Sequence, residues 1–435
     1  MSTLAERVTA WADESWDEAR GLLWNPPGSF DDYSLAPRTM HMVPQSAWYA
    51  VGLLARGDTA RAERLLGELC LLQYDRPGVV WNGTFARFAE WPDPPEIGAV
   101  EWVDYDPNWR QFLGTTFGLI LRHFDVSSSL AARLQSAMAL AIRGEPPNRV
   151  APTYSNIALM KAWLEEDEDC ANAVVSAFDE HGAFAEYGSP TYYGIDLYAL
   201  ALWRLHPPTP RFQEWGERVW QTLWTDIARW WHPQLHNLCG PYSRSYGMDM
   251  ATYVGLLGLW LPEPALPSLD APFEHSHDLT LAPVVELLGG GPTDVAFDTT
   301  ERVVEQSLPD GRFATGWLAP GVMAGGERGG RYRAEGQYHP ATAHWLLADG
   351  SVGWLRLRHR GPLSATATSG ALTVLVHDHR RDGRTPLIVE SSHPGDFHAD
   401  RWEFPGRTIG YSGPSADARG LIDAGADETV TLTFD

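Results

Sequence analysis

The hydrophobic periodicity of this chain changes near residue 262, and that change restricts the folds open to it. Up to about Trp260, apolar residues recur at helical spacing, with breaks at Gly and Pro clusters. From about residue 294 they alternate with polar residues, and turn sequences such as Asp349-Gly350 separate the runs. Strands that follow one another without helices between them indicate an antiparallel sheet or sandwich. We therefore predict an α+β chain with a helical domain at 1–290 and a β domain at 291–435.

The predicted helices are of two kinds. Some are apolar on nearly every side, namely those over 107–123, 152–166, 194–205 and 247–260. Others, over 58–73 and 168–181, have one apolar and one polar face. Further helices are predicted over 4–23, 39–56, 128–143, 211–231 and 281–288. A helix that is apolar all round is buried on every side, whereas an amphipathic helix belongs to an outer layer. Alternating inner and outer helices predict an α/α toroid of five or six hairpins, an incomplete barrel.

Charge and composition exclude several classes of partner. The 435 residues carry a formal net charge of −23, and Lys161 is the only lysine. Nucleic acids and anionic membranes both require a cationic surface, so neither is expected as a partner. The three cysteines are too far apart for a thiolate zinc site, and no apolar run is long enough to span a membrane. The charged N-terminus does not resemble a secretory signal. We expect a cytoplasmic protein that binds a small molecule or oligosaccharide without a cofactor, and the oligomeric state stays open.

Polar and aromatic residues gather where the inner helices are predicted to begin. Parallel inner helices would bring these residues to one mouth of the ring, where unpaired N–H groups and the helix dipoles favour a carboxylate. The candidate binding and catalytic residues of this half are His41, Gln45, Trp81, Asn82, Asn108, Trp109, Tyr154, Asn156, Glu186, Tyr187, Tyr192, Tyr193, Asp196, Tyr242, Arg244, Tyr246 and Asp249.

Arg244 lies close in sequence to Tyr242 and Tyr246. A guanidinium next to a tyrosine favours the phenolate and lowers the pKa of the hydroxyl from its usual value of about 10. Such a tyrosine can remove a proton and return it to a leaving oxygen. The alternative is structural, with the hydroxyls bonded to loop carbonyls and Arg244 paired with Asp249. A second alternative makes Glu186 and Asp196 the two carboxylates of a hydrolase.

The β domain contributes the segment ERGGRYRAEGQYHPATAHW. Its glycines and its arginines, with Arg331 and Arg333 as the candidate clamp and His339 just beyond, fit a loop that closes over an anionic group. A solvated hairpin followed by an edge strand is the alternative. His275 and His277 are spaced two residues apart and could hold a metal, but this spacing alone is a weak signal. We therefore assign no metal ligands, and the presence of a structural metal stays open.

A helical toroid rich in Trp and Tyr, followed by an antiparallel β domain, resembles the polysaccharide lyases of the heparinase, alginate and chondroitin lyase type. The resemblance covers nearly the whole chain. It implies that Asn156 neutralises a uronate carboxylate, that Tyr246 or Tyr192 transfers the proton, that Arg244 supports it, and that His339 joins from the β domain. The sequence lacks the Asn-His pair that opens an inner helix in those families. Its negative charge also opposes a polyanionic polymer, so a short oligosaccharide or small acid is expected.

These observations predict a carbon–oxygen lyase that acts by β-elimination on a uronate-containing oligosaccharide or related small acid. Three alternatives stay open. One is a glycoside hydrolase that uses Glu186 and Asp196. Another is a dehydratase or cyclase of a small apolar molecule, similar to linalool dehydratase. The third is a carbohydrate-binding protein without catalytic activity.

Overall fold

The computed structural model describes residues 2–25, 40–270, 273, 275–330, 336–359, 361–377, 386–424 and 428–434. The chain divides into two compact units. The first comprises Met1–Val175, Gly194–Trp220 and Thr252–Gly291, and the second comprises Ser176–Tyr193, Gln221–Ala251 and Pro292–Asp435. The second unit therefore contains the strand-rich part of the chain together with two earlier segments.

Ten α-helices are present among the described residues. Their bounds are α1 Leu4–Asp13, α2 Pro44–Ala55, α3 Thr59–Leu71, α4 Trp109–His123, α5 Ser128–Gly144, α6 Ser155–Glu165, α7 Glu168–Asp179, α8 Tyr192–Leu205, α9 Pro210–Trp230 and α10 Ala282–Leu287. Nine of the eleven residues of α6, a predicted inner helix, are buried, whereas the predicted outer helix α3 buries five of thirteen. Inner and outer helices are thus distinguished by their apolar patterns, as predicted. None of the described helices is both long and apolar enough to span a membrane.

The inner elements of the first unit form a closed ring. Helix α2 packs against α4, and α4 packs against α6. Trp203 of α8 donates from Nε1 to the carbonyl of Leu159 in α6 (3.0 Å), and Trp260 donates to the carbonyl of Gly194 (2.9 Å). The 3₁₀ helix Leu256–Leu259 then packs against the 3₁₀ helix Ser276–Leu281, which contacts α2. Helices α3 and α5 cover α2 and α4 from outside. The predicted α/α toroid is confirmed.

Two helix predictions were wrong. Residues 247–260 form no α-helix, only the short 3₁₀ helix Leu256–Leu259. Glycine is among the poorest helix formers, and three glycines interrupt this segment, at 247, 255 and 258. The predicted helix over 4–23 ends at Asp13, and the residues beyond it form two short strands instead.

The second unit contains two large antiparallel sheets and one two-stranded sheet. Among the described residues, the strands are β1 Trp16–Asp17, β2 Leu22–Trp24, β3 His41–Met42, β4 Trp231–His232, β5 Asn237–Leu238, β6 Arg302–Leu308, β7 Arg312–Ala319, β8 Val322–Arg328, β9 Ala341–Leu346, β10 Val352–Arg358, β11 Leu363–Thr368, β12 Ala371–Val376, β13 Leu387–Ser391, β14 Asp396–Phe397, β15 Arg401–Phe404, β16 Arg407–Ser412, β17 Leu421–Ile422 and β18 Thr429–Thr433. One sheet has the order β17-β13-β10-β9-β8-β7-β6, and the other has the order β11-β12-β18-β16-β15-β14.

The two sheets share one hydrophobic core. Strands β11 and β12 alternate buried and less buried residues, so each presents one face to the interior. Strand β11 packs against β7 and β8 of the seven-stranded sheet. The core between the sheets includes Trp317, Trp345, Leu355, Val374, Trp402 and Leu432. The predicted antiparallel sandwich is therefore confirmed.

Candidate functional site

The segment 242–246 carries the densest group of candidate residues, and backbone hydrogen bonds fix it inside the second unit. The amide N–H of Tyr242 donates to the carbonyl of His339 (3.0 Å), and the amide of His339 donates back to Tyr242 (2.9 Å). On the other side, the amide of Ser243 donates to the carbonyl of Tyr187 (3.0 Å). The segment thus lies between the chain before α8 and the chain before β9. That arrangement brings together residues from three distant parts of the sequence.

Glycine permits the close approach of this segment to its neighbours. A Cβ atom added at Gly325 in β8 would lie 1.8 Å from the carbonyl oxygen of Gly240. One added at Gly188, where φ is +61°, would lie 2.2 Å from the carbonyl oxygen of Pro241. No side chain fits at either distance, so both positions require glycine.

Arg244 is the centre of what we call the tyrosine–arginine cluster, formed by Glu186, Tyr192, Arg244, Tyr246 and Gln337. Its Nη1 atom lies 2.7 Å from the Glu186 carboxylate, and Nη2 donates to the Tyr192 hydroxyl at 2.7 Å. Nε donates to Oε1 of Gln337 at 3.2 Å. The guanidinium also stacks 4.0 Å from the centroid of the Tyr192 ring. Only the planar fork of an arginine can satisfy three partners in three directions in this way.

The two tyrosines of the cluster are joined by their hydroxyls, which lie 2.8 Å apart. Burial raises the pKa of Tyr192 well above its usual value, and the positive charge of Arg244 only partly opposes that shift. The sequence predicted a lowered tyrosine pKa next to Arg244, but at Tyr192 burial is the larger effect and the net shift is upward. Because Tyr192 accepts a hydrogen bond from Arg244, its own proton is available for Tyr246.

His339 is fully buried behind the cluster. Its Nε2 atom lies 3.2 Å from the carbonyl oxygen of Ser245, and Nη1 of Arg356 lies within 3.2 Å of both ring nitrogens. Burial and the Arg356 charge lower the pKa of His339 to about 3, so the ring is neutral at physiological pH. From this position the imidazole contacts the backbone next to Tyr246.

Other predicted site residues of the second unit use their polar atoms within the fold. The Tyr242 hydroxyl donates to the Leu238 carbonyl (2.5 Å), and the Tyr187 hydroxyl donates to Asp226 (3.2 Å). The Tyr193 hydroxyl accepts from the Gly188 amide (3.0 Å). Asp249 accepts from the Ala251 amide (2.9 Å), and burial raises its pKa. Arg331 and Arg333, the predicted clamp, lie outside the described residues.

In the first unit, the starts of α4 and α6 are joined by a second polar network. The side-chain Nδ2 of Asn108 donates to the Tyr154 hydroxyl (2.9 Å), and Arg149 donates to Oδ1 of Asn108 (3.0 Å). Arg149 is also paired with the buried carboxylate of Glu145 (2.5 Å), to which Gln111 donates (2.8 Å). The parallel inner helices therefore bring two of the predicted clusters together. Arg149 and Glu145 were not predicted, because both follow an outer helix in a segment without a motif.

His41 is buried between two carboxylates at the start of α2. Its Nδ1 lies 2.5 Å from Glu90 and its Nε2 lies 3.1 Å from Asp17, while the Trp24 ring packs against it in a tilted arrangement, 3.8 Å between centroids. Gln45 follows in the first turn of α2 and is also buried.

The remaining candidates of the first unit occupy the long loop and the inner helix starts. Trp81 donates from Nε1 to the Pro95 carbonyl (3.0 Å), and Oδ1 of Asn82 accepts from the Arg76 amide (2.8 Å). Trp109 begins α4 and is partly buried. Asn156 and Asp196 are fully buried near the starts of α6 and α8. A cleft of about 320 Å³ opens beside this loop, lined by Gln73, Tyr74, Asp75, Arg76, Trp91 and Asp93 among others.

The fold and the cluster define an α/α toroid chain with a β-sandwich and a partly buried tyrosine–arginine network. The chain belongs to the family described as a domain of unknown function (DUF8769), whose model matches residues 2–289. None of the curated proteins matches it. Among solved structures it is similar to the GH127 β-arabinofuranosidase BT3674, with 9% sequence identity and a TM-score of 0.34, over 99% of this chain and 89% of that one.

Proposed function

We propose that this protein is an enzyme that transfers a proton through Tyr246 to break a carbon–oxygen bond by β-elimination. The observation that carries the proposal is the 2.8 Å hydrogen bond between the Tyr192 and Tyr246 hydroxyls, backed by Arg244 2.7 Å from Tyr192. A tyrosine pair used only for packing needs no guanidinium on one of its hydroxyls. The pair therefore favours acid–base chemistry over a purely structural role.

The two tyrosines have different tasks in this proposal. Tyr192 keeps its proton, because burial raises its pKa. It donates that proton as a hydrogen bond to the Tyr246 oxygen, and Arg244 polarises the donor from behind. The Tyr246 phenolate is therefore stabilised by a charge-assisted hydrogen bond. Glu186 and Gln337 fix the orientation of the Arg244 guanidinium. His339 orients the Ser245 carbonyl, which lies next to Tyr246 in the chain.

The reaction begins when the Tyr246 phenolate removes the proton α to a substrate carboxylate. The electron pair of the broken C–H bond moves into the enolate, whose charge must be stabilised by hydrogen bonds that strengthen in the transition state. The bond from the β carbon to its oxygen then breaks, and Tyr246 returns the proton to that oxygen. The products are an unsaturated acid and an alcohol. The substrate class we propose is a short uronate-containing oligosaccharide or a related small acid, since a chain of charge −23 repels long polyanions.

To test this, the purified protein is incubated with uronate-containing oligosaccharides. Elimination is detected by the ultraviolet absorbance of the conjugated alkene in the product. Tyr246→Phe should reduce the rate of this absorbance change by roughly 10²–10⁴-fold. Tyr411→Phe is the matched control. Tyr411 lies in β16 of the six-stranded sheet, and its hydroxyl donates to the carbonyl of Pro414. Substrate binding without any product would refute the enzymatic proposal and favour a binding protein.

A hydrolase is the second candidate, and the position of Glu186 favours it. This carboxylate is only 6% exposed and belongs to the same cluster as the tyrosines. Reducing ends that appear without an absorbing product, and that disappear in Glu186→Gln, would establish hydrolysis in place of elimination.

A further inference from the structure

A compact group of possible metal ligands lies in the first unit, at the 3₁₀ helix Ser276–Leu281 that closes the ring. His275, His277 and Asp278 each present one ligand atom, and these three atoms lie within 4.8 Å of one another. The Asp278 carboxylate faces both rings. One of its oxygens is 3.4 Å from Nε2 of His277, and the other is 4.0 Å from Nδ1 of His275.

These separations fit ligands around an ion better than direct hydrogen bonds. N–H···O bonds have lengths of about 2.7–3.2 Å. The corners of a tetrahedron with metal–ligand bonds of about 2.0–2.1 Å are about 3.3 Å apart. Both carboxylate–imidazole distances exceed the hydrogen-bond range, and the shorter one matches the tetrahedral edge. A small movement of His275 would complete a three-sided arrangement.

The local environment prepares these side chains for a metal. Both imidazoles are buried, with 6% of His275 and 5% of His277 exposed. His275 has a left-handed backbone conformation with φ of +56°, which is uncommon for a residue other than glycine. Such strained residues concentrate at functional sites.

We propose that His275, His277 and Asp278 bind one borderline divalent cation of the Zn²⁺ class, with a water molecule completing the coordination. Two imidazoles and one carboxylate are the ligand types that this class prefers, whereas Ca²⁺ and Mg²⁺ require oxygen ligands. All three ligands come from four consecutive residues, so the ion holds this short segment in its strained conformation. That segment packs against α1, α2 and α10, which gives the ion a structural role in closing the ring.

The experiment uses the untagged full-length protein, stripped with a chelator and then incubated with equimolar Zn²⁺. Metal content is measured by mass spectrometry after gel filtration, and thermal unfolding is recorded with and without Zn²⁺. We expect one Zn²⁺ per chain and a higher melting temperature in its presence. Co²⁺ in place of Zn²⁺ should give the visible absorption of a four-coordinate complex.

Two variants and one control assign the site. His277→Gln and Asp278→Asn should each lose the bound Zn²⁺, and Asp278→Asn keeps the side-chain shape if the histidine variant fails to fold. His206→Gln is the control, because the Nε2 atoms of His123 and His206 lie 2.6 Å apart and form another histidine pair in the same unit. Zn²⁺ retained by both site variants, Zn²⁺ lost in the control alone, or no Zn²⁺ bound by the unmodified protein would each overturn the proposal.

Discussion

Replacing Arg244 by lysine tests the organisation of the tyrosine–arginine cluster most directly. Lysine keeps the positive charge but presents one ammonium group in place of a planar fork. The ammonium can retain the contact with Glu186, which is the closest charged partner at 2.7 Å. It cannot also reach the Tyr192 hydroxyl and Gln337, because these lie in other directions from the guanidinium. The variant therefore loses two hydrogen bonds and the stacking on the Tyr192 ring.

The expected magnitude follows from these losses. A hydrogen bond from a charged donor contributes about 1.5–3 kcal/mol when it is buried. The Arg244 side chain is 23% exposed, so the lower end of that range applies. Two such bonds give a loss of about 3 kcal/mol in the free energy of unfolding of the second unit. Turnover should fall as well, because the Tyr192 hydroxyl is no longer polarised toward Tyr246.

Stability is measured by urea denaturation, with tryptophan fluorescence as the signal. Turnover is measured separately on the identified substrate. Arg401→Lys is the matched control. Arg401 is 46% exposed and pairs with Glu403 at 2.7 Å, so its replacement should leave the urea midpoint nearly unchanged. Equal effects of the two substitutions would refute the idea that the geometry of Arg244, and not its charge alone, organises the cluster.

Three further results are expected. Tyr246→Phe should reduce turnover by roughly 10²–10⁴ with little change in stability, and a larger loss in Tyr192→Phe than in Tyr246→Phe would reverse the assignment of the two tyrosines. Stability should fall as the pH decreases from about 6.5 toward 3, because the unfolded chain binds a proton that His339 does not accept in the fold. Between pH 7 and pH 4.5, His339 should lower the free energy of unfolding by roughly 2.5 kcal/mol. Urea denaturation at these two pH values should therefore show a smaller change in stability for His339→Gln than for the unmodified protein. Gly325→Ala should destabilise the second unit by about 1–3 kcal/mol or more, because the added methyl group would overlap the Gly240 carbonyl. An unchanged urea midpoint would contradict this packing.

The architecture could be predicted because each layer has its own period in the sequence. Helix α2 is apolar on all faces and α3 on one, and this difference alone separates the inner from the outer layer. Strands β11 and β12 show their buried face as strict alternation. The segment 247–260 was misassigned because its many apolar residues suggested a buried helix. Its three glycines disfavour a helix, and its backbone makes tertiary contacts instead. The Met248 carbonyl, for example, accepts from the Asn237 side chain at 2.7 Å.

The sequence identified candidate residues for chemistry, namely the tyrosines near Arg244, and Glu186 among the residues that precede α8. Residue type and short spacing are local properties, so they can be recognised without knowing the fold. How these groups are connected depends on the tertiary structure. Gln337 and Arg356 come from distant strands or loops, and their contacts with Arg244 and His339 depend on long-range pairing that no local pattern encodes. The protonation of Tyr192 was decided in the same way, because desolvation depends on all the atoms that surround a group in the fold.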